Sequence, residues 1–150
     1  LFPKGKVIEP LASSWSTTKD DLRRGEPYPL WYSKENRTHS FLHESLRIST
    51  EVVYKALEVA DNPESRKYAE IARRLLDRAL HSDQFWWASR RPWWDVNMIL
   101  KGIFEHHAVM VNAYRAIKQS NCSDDIKREH YHKVLAAREF RNRVSDELFM

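Results

Sequence analysis

The chain has 150 residues, 42% hydrophobic and 31% charged, and 25 basic residues against 21 acidic ones leave a net charge of +4. That is a globular composition, long enough for one domain with a real core and too short for two comfortable ones. Only three glycines occur, which argues against a β-sandwich or a nucleotide-binding sheet, since both need glycine at turns or phosphate loops.

Residues 1–37 read as an irregular, aromatic-rich segment. Pro3, Pro10, Pro27 and Pro29 would break a helix running through them, and Ser13 to Thr18 is turn-like. Leu11, Trp15, Tyr28, Leu30, Trp31 and Tyr32 carry too much apolar surface for a free tail, so the segment is expected to cover the helices that follow. From Thr38 the spacing becomes helical: Leu42, Leu46, Ser49, Val53, Ala56, Leu57 and Ala60 recur at three and four. Asp61-Asn62-Pro63 ends this helix and starts a second, with Pro63 suited to the first turn. Tyr68, Ile71, Ala72, Leu75, Leu76, Ala79, Leu80 and Asp83 form the second helix's face. A third helix runs from about Trp94 to Ser120 through Val96, Ile99, Leu100, Ile103, Phe104, His107, Met110 or Val111, Tyr114 and Ile117. Ser123 caps a fourth, which runs to near the end through Ile126, Val134, Ala137, Phe140, Val144 and Leu148. The expected fold class is all-α: a four-helix antiparallel bundle over 38–150 with the irregular segment 1–37 covering it.

Composition bounds the setting. No apolar run approaches the roughly 20 residues of a membrane span, and Leu1 to Pro10 lacks the pattern of a signal peptide. One cysteine, Cys122, excludes an internal disulfide and suits a reducing, cytoplasmic compartment. The first residue is not methionine, so a piece of a longer polypeptide is expected.

Self-sufficient chemistry finds little support. His39 and His43 stand at i, i+4, His106 and His107 are adjacent, and His130 and His132 share the fourth helix. A single Glu-x-x-His, Glu129 to His132, accompanies them, where a di-iron bundle needs one on each of two helices, so satisfied or solvated histidines are expected rather than a metal site. Cys122 has no histidine nearby in sequence, no Gly-x-Ser-x-Gly occurs, and no phosphate-cradling loop implies a cofactor. Arg73, Arg74, Arg78, Arg90 and Arg91 lie near tryptophans, but interleaved acidic residues make a solvated helix face the better account than nucleic-acid binding.

The stretch from His81 to Asp95 holds four of the six tryptophans. Adjacent tryptophans on a helix point about 100° apart, so in each pair one ring can be buried while the other looks outward. Asp83 closes the apolar face of the second helix, where an unpaired charge is costly. It is therefore expected to find a donor or to line a solvent-filled pocket, sharing a face with Trp86. A carboxylate beside a flat apolar ring is the chemistry of sugar binding. Core packing and pocket lining fit these residues about equally.

Ser82-Asp83-Gln84-Phe85-Trp86-Trp87 resembles the fifth sequence motif of glycoside hydrolase family 57, in the helical region after that family's catalytic barrel. Ser14-Trp15-Ser16, then Pro27 to Trp31, Asn36 and His39 resemble the segment leading from barrel to helices. The resemblance covers about residues 8–120. Family members are retaining enzymes acting on α-glucans and α-galactosides, and two barrel carboxylates do their chemistry. The resemblance implies that this chain is the C-terminal helical domain of such a protein, with no catalytic residue of its own. It implies that Asp83, Trp86 and Trp87 shape a cleft for an oligosaccharide or polysaccharide shared with a preceding barrel. Gln84 stands where many members have Trp, which bears on which sugar is taken. A helical interaction or oligomerisation domain, self-association included, is the rival reading.

Overall fold

The computed structural model describes Gly5 and residues 9–150; the remainder of the expected covering segment, and most of Leu1 to Pro10, lie outside the described residues. The chain is all-α. Six helices are present among the described residues: α1 (Lys19–Arg23), α2 (Arg37–Val59), α3 (Pro63–Ala79), α4 (Asp83–Trp87), α5 (Val96–Gln119) and α6 (Asp124–Glu147). The four long ones form an up-down-up-down bundle. At one end, Asn62 at the start of α3 donates to Gln119 O at the end of α5, and Asn121 N donates to Asp61. At the other end, Arg37 opening α2 pairs with Glu147 closing α6. These ties make α3 antiparallel to α5 and α2 antiparallel to α6. The parallel pair α2 and α5 packs together through the middle, with α3 and α6 on either side.

Local chemistry sets the long-helix boundaries. Asn62 and Ser65 form a reciprocal capping box at α3, where Pro63 occupies the first turn, and Asn36, Asp95 and Ser123 cap α2, α5 and α6. The central core is rich in alanine: Ala56, Ala69, Ala72, Ala79, Ala113, Ala116 and Ala137 are buried with Val52, Val53, Leu76, Val109, Met110 and Ile117. Small side chains at the contacts let the helix axes approach closely. A second core at the α2 start is aromatic. Leu42, Phe85, Ala88, Ile99, Ile103 and Val144 are packed there by Trp31, Phe41, Trp87 and Trp94.

Three details depart from the sequence reading. The segment before α2 contains a helix, because α1 fits between Pro10 and Pro27 and is held by a Thr18–Asp21 capping box. Gly25, at φ +70°, then closes α1 in a Schellman turn, with Glu26 N donating to Asp21 O and Gly25 N to Leu22 O. Second, α3 ends at Ala79, and a turn at His81 and Ser82 resets the register before α4. Asp83 therefore does not close a buried face: it is exposed, and Gln84 and Phe85 take the buried places. Third, the inward face of α5 is Ile99, Gly102, Ile103, His106, Val109, Met110, Ala113, Ala116 and Ile117, while Val96, Leu100, Phe104, His107 and Val111 are exposed. Helix α5 packs against the other three long helices and α4, and its small residues admit them, so the buried arc rotates away from the largest hydrophobes. Among the described residues no helix is long and apolar enough to cross a membrane.

Candidate functional site

The tryptophan-rich stretch sits at the aromatic end of the bundle, and buried polar side chains tie down its backbone. Asn36 Nδ2 donates to Ala88 O at 2.7 Å. His39 Nε2 donates to Phe85 O at 2.9 Å, while its Nδ1 accepts from Ser33 N. Gln84 donates its amide to Ala79 O and His81 O, which leaves Oε1 to accept from His106 Nε2 at 2.7 Å. That bonding assigns the proton of each imidazole to Nε2. Gly102 lies directly against α4: a β-carbon there would stand in contact with Gln84 Cβ, at 3.4 Å. His43 stacks on Phe85 at 4.2 Å and donates to Trp31 O.

Burial holds both His39 and His106 neutral. It lowers each to about 4, with the Phe85 carbonyl partly opposing the shift at His39 and the Arg141 charge reinforcing it at His106. His39, His43 and His106 thus serve as fasteners of α4 and the segment before α2. Arg141 donates to His107 Nδ1, and His130 bonds to Ile126 O within its own helix.

Around this frame the tryptophans take distinct positions. Trp86 stacks on Trp93, with centroids 5.4 Å apart and planes 17° from parallel, and Trp93 remains 46% exposed. The Trp86 indole N–H is buried and finds no acceptor among the described residues. Trp87 packs against the aromatic core and tilts against His81. Trp94 also packs there, and the Arg90 guanidinium lies over its ring at 4.1 Å. Packing thus accounts for Trp94, whereas Trp93 is a half-open partner of Trp86. Asp83 begins α4 one turn before Trp86, with no hydrogen-bond or ion-pair partner among the described residues. Of the three residues put forward for sugar contact, Asp83 and Trp86 share a helix face. Trp87 belongs to the packing side.

Sequence reasoning missed a second constellation beside these rings. Asp21, fully buried, accepts two parallel bonds from Arg91 at 2.7 and 2.8 Å, one from Arg24, and others from the Thr18 hydroxyl and backbone N–H. Those donors, Arg91 foremost, hold its carboxyl far below the usual carboxylate range. Asp21 and Arg91 are 70 residues apart in sequence, and no periodicity links them. This contact joins α1 to the turn after α4. Beside it opens a cleft of about 350 Å³ between residues 24–36 and 89–91. Asp83 and Trp86 do not line it. A second cleft of about 320 Å³, apolar and flanked by the exposed Phe104, lies between Leu75 of α3 and Ala108 of α5.

Comparison of the chain with protein-family models, curated proteins and solved structures finds no match.

The two neutral histidines make stability fall with acid. Each binds a proton more readily when unfolded, so its contribution is whole above about pH 6.5 and disappears as pH falls through 4. The loss by pH 4 is about 3 kcal/mol per ring. Denaturant midpoints measured from pH 7 to pH 4 are expected to drop accordingly, and His106→Gln to flatten the slope. Asp21→Asn, which removes the charge but keeps the shape, is expected to speed amide hydrogen exchange across residues 17–35. Protection in α5 and α6 should persist.

Proposed function

We propose that the chain is a helical domain of a glycoside hydrolase family 57-like protein, presenting a glycan contact at the aromatic end of its bundle. One observation carries the reading: an exposed carboxylate, Asp83, with no partner among the described residues, stands one helical turn before Trp86, whose ring stacks on the half-exposed Trp93. A sugar ring has an apolar face that lies flat on an aromatic surface and hydroxyl groups that donate to a carboxylate. A free carboxylate beside a stacked indole pair offers both. The catalytic acid and nucleophile belong, on this reading, to a barrel preceding the domain. The domain alone does not hydrolyse.

Titration with a maltooligosaccharide is expected to change tryptophan fluorescence saturably, and Asp83→Ala and Trp86→Phe to weaken the response by about tenfold each. Unchanged fluorescence in the wild type, together with full activity of the parent enzyme carrying Asp83→Ala, removes the reading.

A second reading has its own observation. Val96, Leu100, Phe104 and Val111 leave an apolar stripe exposed along α5, with Phe104 72% exposed beside the apolar cleft. An interaction domain would use that stripe. Sedimentation of the wild type should then show a complex that Phe104→Glu disperses; a monomeric wild type removes self-association as its form.

A further inference from the structure

The cleft between the N-terminal segment and the turn after α4 is built of ionised groups, yet they balance. Asp21 is shared by Arg24 and Arg91, and Glu147 by Arg37 and Arg90. Each shared carboxylate leaves one excess positive charge. Glu26 and Glu35, on the cleft wall, make no close ion pair among the described residues, Glu26 acting on Arg91 from further off, and they cancel that excess. Four guanidiniums thus face four carboxylates, and the cleft and its supports carry no net charge.

We propose that this cleft binds an uncharged, hydroxyl-rich ligand, a short oligosaccharide, through Glu26 and the guanidiniums of Arg90 and Arg91. A free anion would gain from the arginines and lose to the two glutamates. A hydroxyl group does not face that conflict, because it donates to a carboxylate while accepting from a guanidinium N–H. The volume of about 350 Å³ lies at the small end of ligand pockets, which span roughly 300–1,000 Å³.

Two features show that the wall is constructed. Glu26 is only 7% exposed, and its Oε1 accepts from Lys34 N at 3.0 Å. Its other oxygen has no hydrogen-bond partner among the described residues and is open to the cleft that Glu26 lines. Arg90 sits at φ +56°, in the left-handed region that a residue with a β-carbon disfavours. Its stack on Trp94 and its bond to Glu147 O hold it there. Backbone strain of this kind persists where the surroundings over-determine it, and it clusters at ligand sites. The floor is fixed as well: Asn36 is committed to Ala88 O and His39 N, and the Ser89 hydroxyl donates to Trp93 O.

This proposal rests on the glycan reading above but places a contact at other residues, so the two can fail separately. Amide chemical shifts of the ¹⁵N-labelled chain are followed while maltotriose, and separately inorganic phosphate, is added to millimolar levels. Maltotriose is expected to shift Ser33, Asn36, Ser89 and Arg90 saturably. Glu26→Gln, which keeps an oxygen for Lys34 N, should weaken that binding by about tenfold. Arg90→Gly, which tolerates the left-handed backbone, should weaken it too, and Asp83→Ala should leave it intact. The proposal is overturned if the cleft amides do not respond to maltotriose, if Glu26→Gln responds as the wild type does, or if phosphate alone shifts them. Shifts confined to Trp86 and Trp93 overturn it while sparing the glycan reading; shifts confined to the cleft do the reverse.

Discussion

The segment from Ala79 to Ala88 follows the end of a helix and contains only one helical turn of its own. Such a stretch would ordinarily leave its carbonyls to water. Here four of them, at positions 79, 81, 85 and 88, accept hydrogen bonds from buried side chains: Gln84 twice, His39 and Asn36. His106 holds the far side of the Gln84 amide. A buried carbonyl without such a donor costs about as much as a lost hydrogen bond. The donors therefore select one backbone path among many, and that path orients Trp86, Trp87 and the turn carrying Arg90 and Arg91. Remove the ties and the rings would still bury apolar area, but in no single arrangement.

The long helices were legible because each repeats its apolar positions over four or more turns and opens at a side chain that caps it. Helices α1 and α4 were not, since five residues hold too little period to detect. Asp83 was misplaced for a related reason. Continuing α3 through Leu80 puts residue 83 on the inward face, and only the turn at His81 and Ser82 moves it out. Small residues hid the inward face of α5: Gly102, Ala113 and Ala116 score little as hydrophobes, yet they mark where neighbouring helices come closest. The ion pair between Asp21 and Arg91 left no local signal at all, because its specificity lies in long-range geometry.

The aromatic stretch shows the same division. Its place at a helix end and its separation by Pro92 into two pairs can be read from the chain. The pairing itself cannot. Trp86 stacks across the turn on Trp93, while Trp87 and Trp94 turn toward the core. Each adjacent pair thus gives one ring to packing and one to the stack; the angle between neighbours on a helix allows this for Trp86 and Trp87 in α4, whereas Trp93 and Trp94 lie in the non-helical segment before α5.

Local rules are broken at one end of this molecule and kept at the other. Where α2 meets α3 and α5 meets α6, caps and turns are ordinary: Asn62 with Ser65, Ser123 with Ile126, Asp61 with Asn121. Among the described residues, the buried polar atoms that find no protein partner, on Thr38, Ser45, Trp86, His106 and Arg141, all belong to the half holding the tryptophans. The left-handed Arg90 lies there too. Each departure disfavours the folded state by an amount that a well-packed apolar end would avoid, and the alanine core shows that this chain packs well elsewhere. Sequences consistent at every level tend to depart from that consistency at functional sites. On the reading proposed above, the polar ties, the open stack and the charge-balanced cleft belong together as one surface held in place to meet a ligand.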